Sequence, residues 1–274
     1  MTFMEMLKNA WKINNSLVCV GLDPDLKKMP DCVKNEKYPI FAFNKAIIDA
    51  TKDAVCSYKP QAAMYAGMNA DEELGMTIDY IHEVAPAVPV ILDAKRADIG
   101  NTTAMYAKEA FERYNADAIT VNPYMGMDAL KPFLDRADKG VIVLCRTSNG
   151  GAKEVQELRL ESGEMLYQRI AKLISHDWNY NGNTMLVAGA TFPEELGEIR
   201  KIVGDTPLLV PGIGAQGGDL AGVLKNGLTA DKTGLVINSS RGIIYASNGS
   251  DFAEAAGKAA QDPDAGAAHR GYEP

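Results

Sequence analysis

A short charged segment contains Asp93, Lys95 and Asp98 and follows an apolar run of the sequence. Alternate residues of an extended segment project to one side, about 6–7 Å apart, so Asp93 and Lys95 would face the same way. Lys59 directly follows another apolar run, Val55–Tyr58. If the two runs are neighbouring strands, Lys59, Asp93 and Lys95 form a row of alternating charge. The carboxylate would keep both amines charged in a poorly solvated pocket, where an ammonium can stabilise a developing anion and donate a proton.

Asp93, Lys95 and Asp98 also have a structural interpretation. Asp93 and Lys95 would then form an ordinary ion pair, and Asp98 would cap the helix that follows it. The convergence of three charges at strand ends, with Asp98 close behind, favours a catalytic site.

Two glycine-containing segments near the end of the chain could bind a phosphate. Pro211–Asp219 reads Pro-Gly-Ile-Gly-Ala-Gln-Gly-Gly-Asp, and Asn238–Ile243 places Arg241 beside a glycine. Glycines let backbone N–H groups approach a phosphate closely, and the following helix N-termini add partial positive charge. Tight turns with a solvated arginine would explain the same residues. The pairing of two such segments favours the phosphate site.

The elements that position these residues alternate regularly along the chain. Short apolar runs separated by amphipathic segments predict parallel strands covered by helices. Eight units in this length predict an α/β fold, a single (β/α)8 TIM barrel spanning residues 1–274. An open doubly wound sheet is the alternative, but its glycine-rich turn should follow the first strand, where Gly-Leu-Asp-Pro stands at Gly21–Pro24. The predicted strands are Ser16–Leu22, Val55–Tyr58, Val88–Leu92, Ala118–Val121, Val141–Leu144, Met185–Ala188, Pro207–Val210 and Gly234–Asn238. The predicted helices are Tyr38–Asp53, Asp71–Val84, Thr102–Tyr114, Asp128–Ala137, Gly163–His176, Pro193–Val203 and Asp219–Asn226.

Two segments interrupt this alternation. Arg146–Leu160, after the fifth strand, is polar, contains glycine and is longer than a usual connection, so we expect a lid or insertion there. The tail from Gln261 is rich in proline, glycine and charged residues and predicts a frayed terminus.

Composition excludes several classes of protein. The chain has 274 residues and a net charge of −8, from 28 basic and 36 acidic residues, so we expect no general nucleic-acid or anionic-membrane surface. No apolar stretch is long enough for a signal peptide or a membrane span, and the four separated cysteines predict free thiols in a reducing compartment. The location expected is the cytoplasm.

The three histidines lie away from strand ends and lack metal-ligand spacing, so we predict no zinc site.

The segment from Asp93 to Thr102, Asp-Ala-Lys-Arg-Ala-Asp-Ile-Gly-Asn-Thr, resembles the signature of the orotidine 5′-phosphate decarboxylases. The resemblance is to the longer bacterial type, in the right order for a barrel, from Phe3 to about Ala260. Lys59 distinguishes the chain from related metal-dependent sugar-phosphate enzymes, which are expected to carry an acidic residue there. Gly150 departs from the pattern, in which a proline is expected. The supporting motifs are Gly-Leu-Asp-Pro at 21–24, Tyr-Lys-Pro-Gln at 58–61, Arg-Thr-Ser-Asn at 146–149, Pro-Gly-Ile-Gly-Ala-Gln-Gly-Gly at 211–218 and Ser-Ser-Arg-Gly at 239–242.

The resemblance implies a catalytic array of Lys59, Asp93, Lys95 and Asp98, in which Lys95 protonates C6 of the pyrimidine. It implies cofactor-free decarboxylation of orotidine 5′-monophosphate to UMP and CO2, with no metal. It also implies a homodimer in which Asp98 and Thr102 reach into the partner's site. The implied substrate contacts are Asp23 at the ribose, Ser148 at the pyrimidine amide edge, and Pro211, Gly214, Gln216, Arg241 and Gly242 at or near the phosphate.

Three other functions remain open at this point. A magnesium-dependent sugar-phosphate enzyme would use Asp93 and another carboxylate as metal ligands. A Schiff-base enzyme would use Lys59 or Lys95 as the nucleophile and needs a depressed pKa, which flanking carboxylates oppose. A catalytically silent sensor would bind UMP without turnover.

Overall fold

Eight parallel strands form the sheet of this protein, and helices cover its outer side. The structure is a computed structural model that describes residues 1–212 and 219–262. The strand order is β2-β1-β8-β7-β6-β5-β4-β3, and parallel bridges from Tyr58 to Val90 and from Gln61 to Asp93 join the two outer strands. The sheet is therefore a nearly closed barrel, which confirms the predicted (β/α)8 fold.

The strands are short and almost entirely buried, as expected for a sheet covered on both faces. Their bounds are β1 Val18–Leu22, β2 Ser57–Pro60, β3 Ile91–Arg96, β4 Ala118–Val121, β5 Gly140–Arg146, β6 Thr184–Ala188, β7 Leu208–Pro211 and β8 Leu235–Ser239.

The helices follow the predicted alternation, with several short additions. The α-helices are α1 Phe3–Ile13, α2 Asp31–Lys34, α3 Pro39–Thr51, α4 Ala62–Ala66, α5 Asp71–Val84, α6 Gly100–Lys108, α7 Met127–Leu134, α8 Lys153–Gln156, α9 Leu166–Lys172, α10 Pro193–Val203, α11 Leu220–Gly227, α12 Arg241–Ile244 and α13 Phe252–Gln261. A turn of π-helix extends α6 over Glu109–Arg113 and α9 over Leu173–Asp177, and 3-10 turns span Pro123–Met125 and Gly150–Ala152.

Helix α1 was not among the predicted helices, although its sequence signals are present. Thr2 and Glu5 form a capping box at its start, which satisfies two backbone N–H groups. The Phe3 ring packs on Gly140 and fills the space that a side chain there would occupy. The Trp11 indole donates a hydrogen bond to the carbonyl oxygen of Leu235. The helix therefore packs against the amino ends of β5 and β8, opposite the end that carries the predicted chemistry.

Strands β2 and β3 continue beyond their predicted ends, so the charged residues lie within strands and not in the loops after them. Lys59 lies within β2, and Asp93 and Lys95 lie within β3, rather than after them. The prediction of a regular extended segment from Asp93 to Lys95 is wrong, because Lys95 has a left-handed backbone with φ +48°. A β-bulge at this point interrupts the pairing of β3 with β4.

The structure changes the first residue of each of the two segments that interrupt the predicted alternation. Arg146 is the last residue of β5 and is 2% exposed, so the connection that follows it begins at Thr147. Gln261 is the last residue of α13, and residues 263–274 lie outside the described residues. Within the described residues, no helix combines the length and apolar character needed to span a bilayer.

Candidate active site

Asp93 is the centre of a hydrogen-bonded charge cluster at the carboxyl end of β3. Its Oδ2 accepts from the Lys59 ammonium at 3.0 Å and from the Gln61 amide at 3.1 Å. Its Oδ1 accepts from the Lys95 ammonium at 2.6 Å and from the Thr120 hydroxyl at 2.7 Å. The structure thus brings Lys59, Asp93 and Lys95 together, with one amine on each carboxylate oxygen.

The two buried members of this cluster hold each other in the charged form. Burial alone would raise the pKa of Asp93, but the ammonium groups of Lys59 and Lys95 outweigh it and hold that pKa well below its usual value. Burial alone would lower the pKa of Lys59, but the carboxylates of Asp93 and Asp23 outweigh it and raise that pKa above its usual value. Both groups are therefore ionised at neutral pH.

Lys95 differs from Lys59 in its access to the barrel mouth. The Lys59 side chain is 5% exposed, whereas the Lys95 side chain is 47% exposed. A left-handed backbone at a residue other than glycine costs about 1–3 kcal/mol and persists where the surroundings enforce it, often at functional sites. Lys95 is therefore the amine of the cluster that can reach a bound molecule.

Asp23 follows β1 and lies beside this cluster. Gly21 pairs with Lys59 in the register of β1 with β2, so Asp23 emerges next to the second strand. Its Oδ1 is buried and has no hydrogen-bond partner among the described residues. A buried carboxylate oxygen without a partner is costly, and a hydroxyl group of a ligand would satisfy it.

Asp98 and Thr102 lie apart from the row of Lys59, Asp93 and Lys95. The Asp98 carboxylate accepts from the backbone N–H of Ile99 at 2.8 Å, and Thr102 is exposed on the first turn of α6. Ile99 and Met105 are also exposed beside them, 56% and 63% respectively. Within one chain, Thr102 is therefore exposed and Asp98 is half-buried, and both stand next to exposed apolar side chains.

The remaining predicted substrate residues follow β5, β7 and β8. Ser148 lies so close to Gly189, after β6, that a Cβ on that glycine would be 3.0 Å from its Cβ. Pro211 pairs with Asn238, which brings the ends of β7 and β8 together. Arg241 and Gly242 are exposed just after β8, and the Arg241 guanidinium forms no ion pair with the residues that the structure describes. Gly214 and Gln216 lie outside the described residues.

Arg146 has a structural role that its sequence position did not reveal. Its buried guanidinium forms ion pairs with Glu157 at 2.6 Å and with Glu195 of α10, and it lies 4.3 Å from the Phe192 ring centroid. Gln156 adds hydrogen bonds to the backbone and hydroxyl of Thr147. These contacts hold the later part of the 147–160 segment, at Gln156 and Glu157, against the end of β5.

Sequence reasoning missed two contributors to the charge cluster, Gln61 and Thr120. Gln61 stands in the Tyr-Lys-Pro-Gln motif two residues after Lys59, so alternation along β2 was an available signal. Thr120 is one threonine within an apolar strand, and nothing local distinguishes it. Among the described residues, no group of three or more His, Cys, Asp and Glu side chains is arranged to hold a metal ion.

The fold and the site together define a class: a (β/α)8-barrel enzyme with its charged groups at the carboxyl ends of the strands. A family model described as "Orotidine 5'-phosphate decarboxylase / HUMPS family" matches residues 16–256. The chain belongs to this family.

Known proteins similar to this chain agree with that assignment. An orotidine 5′-phosphate decarboxylase of Ralstonia pickettii is 56% identical over 260 residues, covering 95% of this chain and 96% of that protein. One of Dechloromonas aromatica is 57% identical over 256 residues, covering 93% and 94%. The OMP decarboxylase of Leishmania donovani has a TM-score of 0.80 at 38% identity and covers 94% of this chain and 95% of that one. The UMP synthase of the same organism has a TM-score of 0.83 at 40% identity, covering 97% of this chain and 56% of that one.

Proposed function

We propose that this protein decarboxylates orotidine 5′-monophosphate to UMP and CO2 in pyrimidine biosynthesis, without a cofactor. The observation that carries the proposal is the Lys59–Asp93–Lys95 row, in a chain that belongs to the decarboxylase family. The row places a fixed negative charge between two amines, one of them open to the barrel mouth. This arrangement suits a reaction in which a negative charge appears on carbon.

In this mechanism the bond between C6 and the carboxyl carbon breaks, and its electron pair stays on C6. That vinyl carbanion is not conjugated, so it needs direct electrostatic stabilisation. The Lys95 ammonium stabilises the developing charge and then gives its proton to C6, after which Lys95 regains a proton from solvent. A preformed charge costs no reorganisation at the moment of reaction, which makes this the largest contribution of the site.

Asp93 and Lys59 keep the proton donor charged and in place. The bonds from Lys95 and Thr120 fix one oxygen of Asp93, and those from Lys59 and Gln61 fix the other. Asp93 then also faces the substrate carboxylate, and the resulting repulsion is a secondary contribution.

The other contacts of the substrate are assigned by the same proposal. The unpartnered oxygen of Asp23 accepts from the ribose hydroxyls, and Ser148 meets the pyrimidine amide edge. The phosphate, remote from C6, binds near the ends of β7 and β8. Its binding energy serves to order the site and to close the 147–160 segment. Gln216 and Arg241 hold the phosphate together with the backbone N–H groups of Gly214 and Gly242, and Pro211 is a substrate contact at the end of β7.

We also propose that the active form is a homodimer in which Asp98 and Thr102 complete the partner's site. Exposed apolar side chains lie on α6, which carries Thr102, and near the start of α7, and an exposed apolar face of this kind marks an interaction surface. Helices α6 and α7, which carry part of it, are in contact with each other. This face consists of Ile99, Met105, Tyr124, Met125 and Met127.

A cytoplasmic location is part of the proposal. It rests on the cysteines, since Cys19, Cys32, Cys56 and Cys145 are free thiols and suit a reducing compartment. Fractionation of the source cells, with the protein expected in the cytoplasmic fraction, tests it.

A spectrophotometric assay with orotidine 5′-monophosphate, run with and without EDTA, tests the function. We expect turnover to UMP at an unchanged rate when the chelator is present. Turnover abolished by EDTA and restored by Mg²⁺ would favour the metal-dependent alternative. Each Asp93 oxygen already receives two hydrogen bonds, one from an ammonium, which opposes metal ligation there. UMP binding without any turnover would contradict the proposal and favour the sensor.

A further inference from the structure

Thr120 lies opposite the β-bulge that contains the catalytic pair. Leu92 pairs with Ile119 and Arg96 with Val121, so three residues of β3 face the single residue Thr120 of β4. Those three residues run from Asp93 to Lys95. A bulge leaves its extra residues without their usual ladder bonds, so another group must hold them.

The Thr120 hydroxyl forms two hydrogen bonds to the residues of the bulge, one to the backbone and one to a side chain. Its oxygen accepts from the backbone N–H of Lys95 at 3.0 Å, and the hydroxyl donates to Asp93 Oδ1 at 2.7 Å. The direction of both bonds is fixed, because the Lys95 N–H can only donate and an ionised carboxylate can only accept. Thr120 is 1% exposed, so water cannot readily replace it.

We propose that Thr120 is a positioning residue for proton transfer by Lys95. Its hydroxyl holds the Lys95 backbone in the left-handed conformation and orients the Asp93 carboxylate, so that the ammonium is fixed where C6 will lie. This inference rests on the proposed function. Thr120 touches neither the substrate nor the transferred proton and acts through Lys95 and Asp93.

The other buried threonine in the described strands, Thr184, does not have this arrangement. The Thr184 hydroxyl of β6 is also 1% exposed and, within the described residues, donates only to the carbonyl oxygen of Ile174. Replacing Thr184 by valine also removes a buried threonine hydroxyl, but at a position away from the proposed catalytic residues. Thr184→Val is therefore the matched control for Thr120→Val.

Steady-state kinetics of Thr120→Val, Thr120→Ala and Thr120→Ser test the proposal. Misplacement of the proton donor should lower kcat of the valine and alanine variants by at least about tenfold, with KM within about threefold of wild type. Serine keeps the hydroxyl, so Thr120→Ser should recover most of the kcat lost in Thr120→Ala. Thr184→Val should keep the wild-type kcat.

The outcomes separate this inference from the proposed function. If the wild-type protein shows no turnover, the proposed function is wrong, whatever the variants do. If the wild type is active and the folded valine and alanine variants have an unchanged kcat, the proposed role of Thr120 is wrong. It is also wrong if the serine variant is as slow as the alanine variant. Circular dichroism and thermal melting establish folding, and if valine prevents it, the alanine and serine pair decides.

Discussion

Lys95 is the single residue on which the proposed chemistry depends most. Its ammonium is the half-exposed end of a row whose other members are buried. Lys95→Ala should lower kcat by at least about 10³-fold, because both charge stabilisation and the proton are lost. UMP affinity should stay within about tenfold, since the other binding groups remain.

Turnover measured beside UMP titration by calorimetry checks this expectation. Lys258→Ala is the control, because it removes an exposed lysine of α13 that pairs with Glu254. Retained catalysis in Lys95→Ala would refute its role as proton donor.

Arg241 is the cation assigned to the phosphate. Arg241→Ala should weaken binding of UMP by about 1.5–3 kcal/mol, the contribution of one charge-assisted hydrogen bond. Uridine lacks the phosphate, so its affinity should not change. Calorimetric titration of both ligands measures the difference, and equal losses for UMP and uridine would show that Arg241 acts elsewhere.

The Lys59–Asp93 pair should also contribute to stability, over a pH range that follows from its pKa shifts. The pKa of Asp93 is lowered in the folded state, so its contribution is present above the unfolded value of about 3.9 and is lost as the pH falls through the folded pKa. The pKa of Lys59 is raised, so its contribution is present below about 10.4 and is lost as the pH rises through the folded pKa.

Asp93→Asn therefore should lower the free energy of unfolding most near neutral pH, by about 3 kcal/mol, because Lys59 stays buried without its charge partner. The difference from wild type should shrink as the pH approaches 3. Urea denaturation at a series of pH values measures it, and a difference that is constant from pH 3 to 7 would contradict the linkage. Glu254→Gln, which removes an exposed ion pair of α13, should change stability little at any pH.

At the scale of elements, the junction of β1 with β8 carries the residues proposed to bind the ribose and the phosphate. Gly21 lies in β1, and a Cβ there would stand 2.7 Å from the Ser240 Cβ and 3.2 Å from Asn238 Oδ1. The two strand ends that lead to Asp23 and Arg241 can therefore approach only because residue 21 has no side chain.

Gly21→Ala should separate these strand ends, lowering the melting temperature and weakening UMP binding together. Thermal melting and UMP titration measure the two effects. Gly75→Ala in α5 is the matched control, because a Cβ there meets no atom of the described residues within 4 Å. Alanine is the better helix former by about 1 kcal/mol, so this variant should melt at or above the wild-type temperature. If the Gly21→Ala protein has the melting temperature and the UMP affinity of the wild type, the strand ends tolerate separation.

At the scale of the whole molecule, the site is expected to be complete only in a dimer. Met105→Glu places a charge in the exposed apolar face, one turn of α6 from Thr102, and should raise the dimer dissociation constant at least about tenfold. Activity should fall on dilution in parallel. Ile13→Glu alters an equally exposed apolar residue at the end of α1 and should leave the dimer intact.

Analytical ultracentrifugation measures the dissociation, and mixing two inactive variants tests the shared site. Asp98→Ala and Lys95→Ala subunits form hybrid dimers in which one site has both intact groups if Asp98 reaches across. Random exchange should then restore about a quarter of wild-type activity, since half of the dimers are hybrids with one good site each. No restoration, in a mixture shown to exchange, would place Asp98 in its own subunit's site.

The sequence by itself determined the barrel. A strand that is buried on both faces is a continuous apolar run, and an amphipathic helix shows a regular repeat of apolar residues, so both can be recognised locally. The bounds predicted for α5 and α10 agree with the structure. The sequence also located the charged strand ends, since parallel strands end at the same side of the sheet.

Only the tertiary structure decided how those charges are held. The β-bulge, the Thr120 bonds and the unpartnered oxygen of Asp23 depend on neighbouring strands, and Thr120 lies 27 residues from Asp93 in the chain. Local patterns of hydrophobicity record which face of a strand is buried, but they do not record which distant side chain meets a backbone N–H there. Hydrogen bonds between strands become visible only once the register of those strands is known.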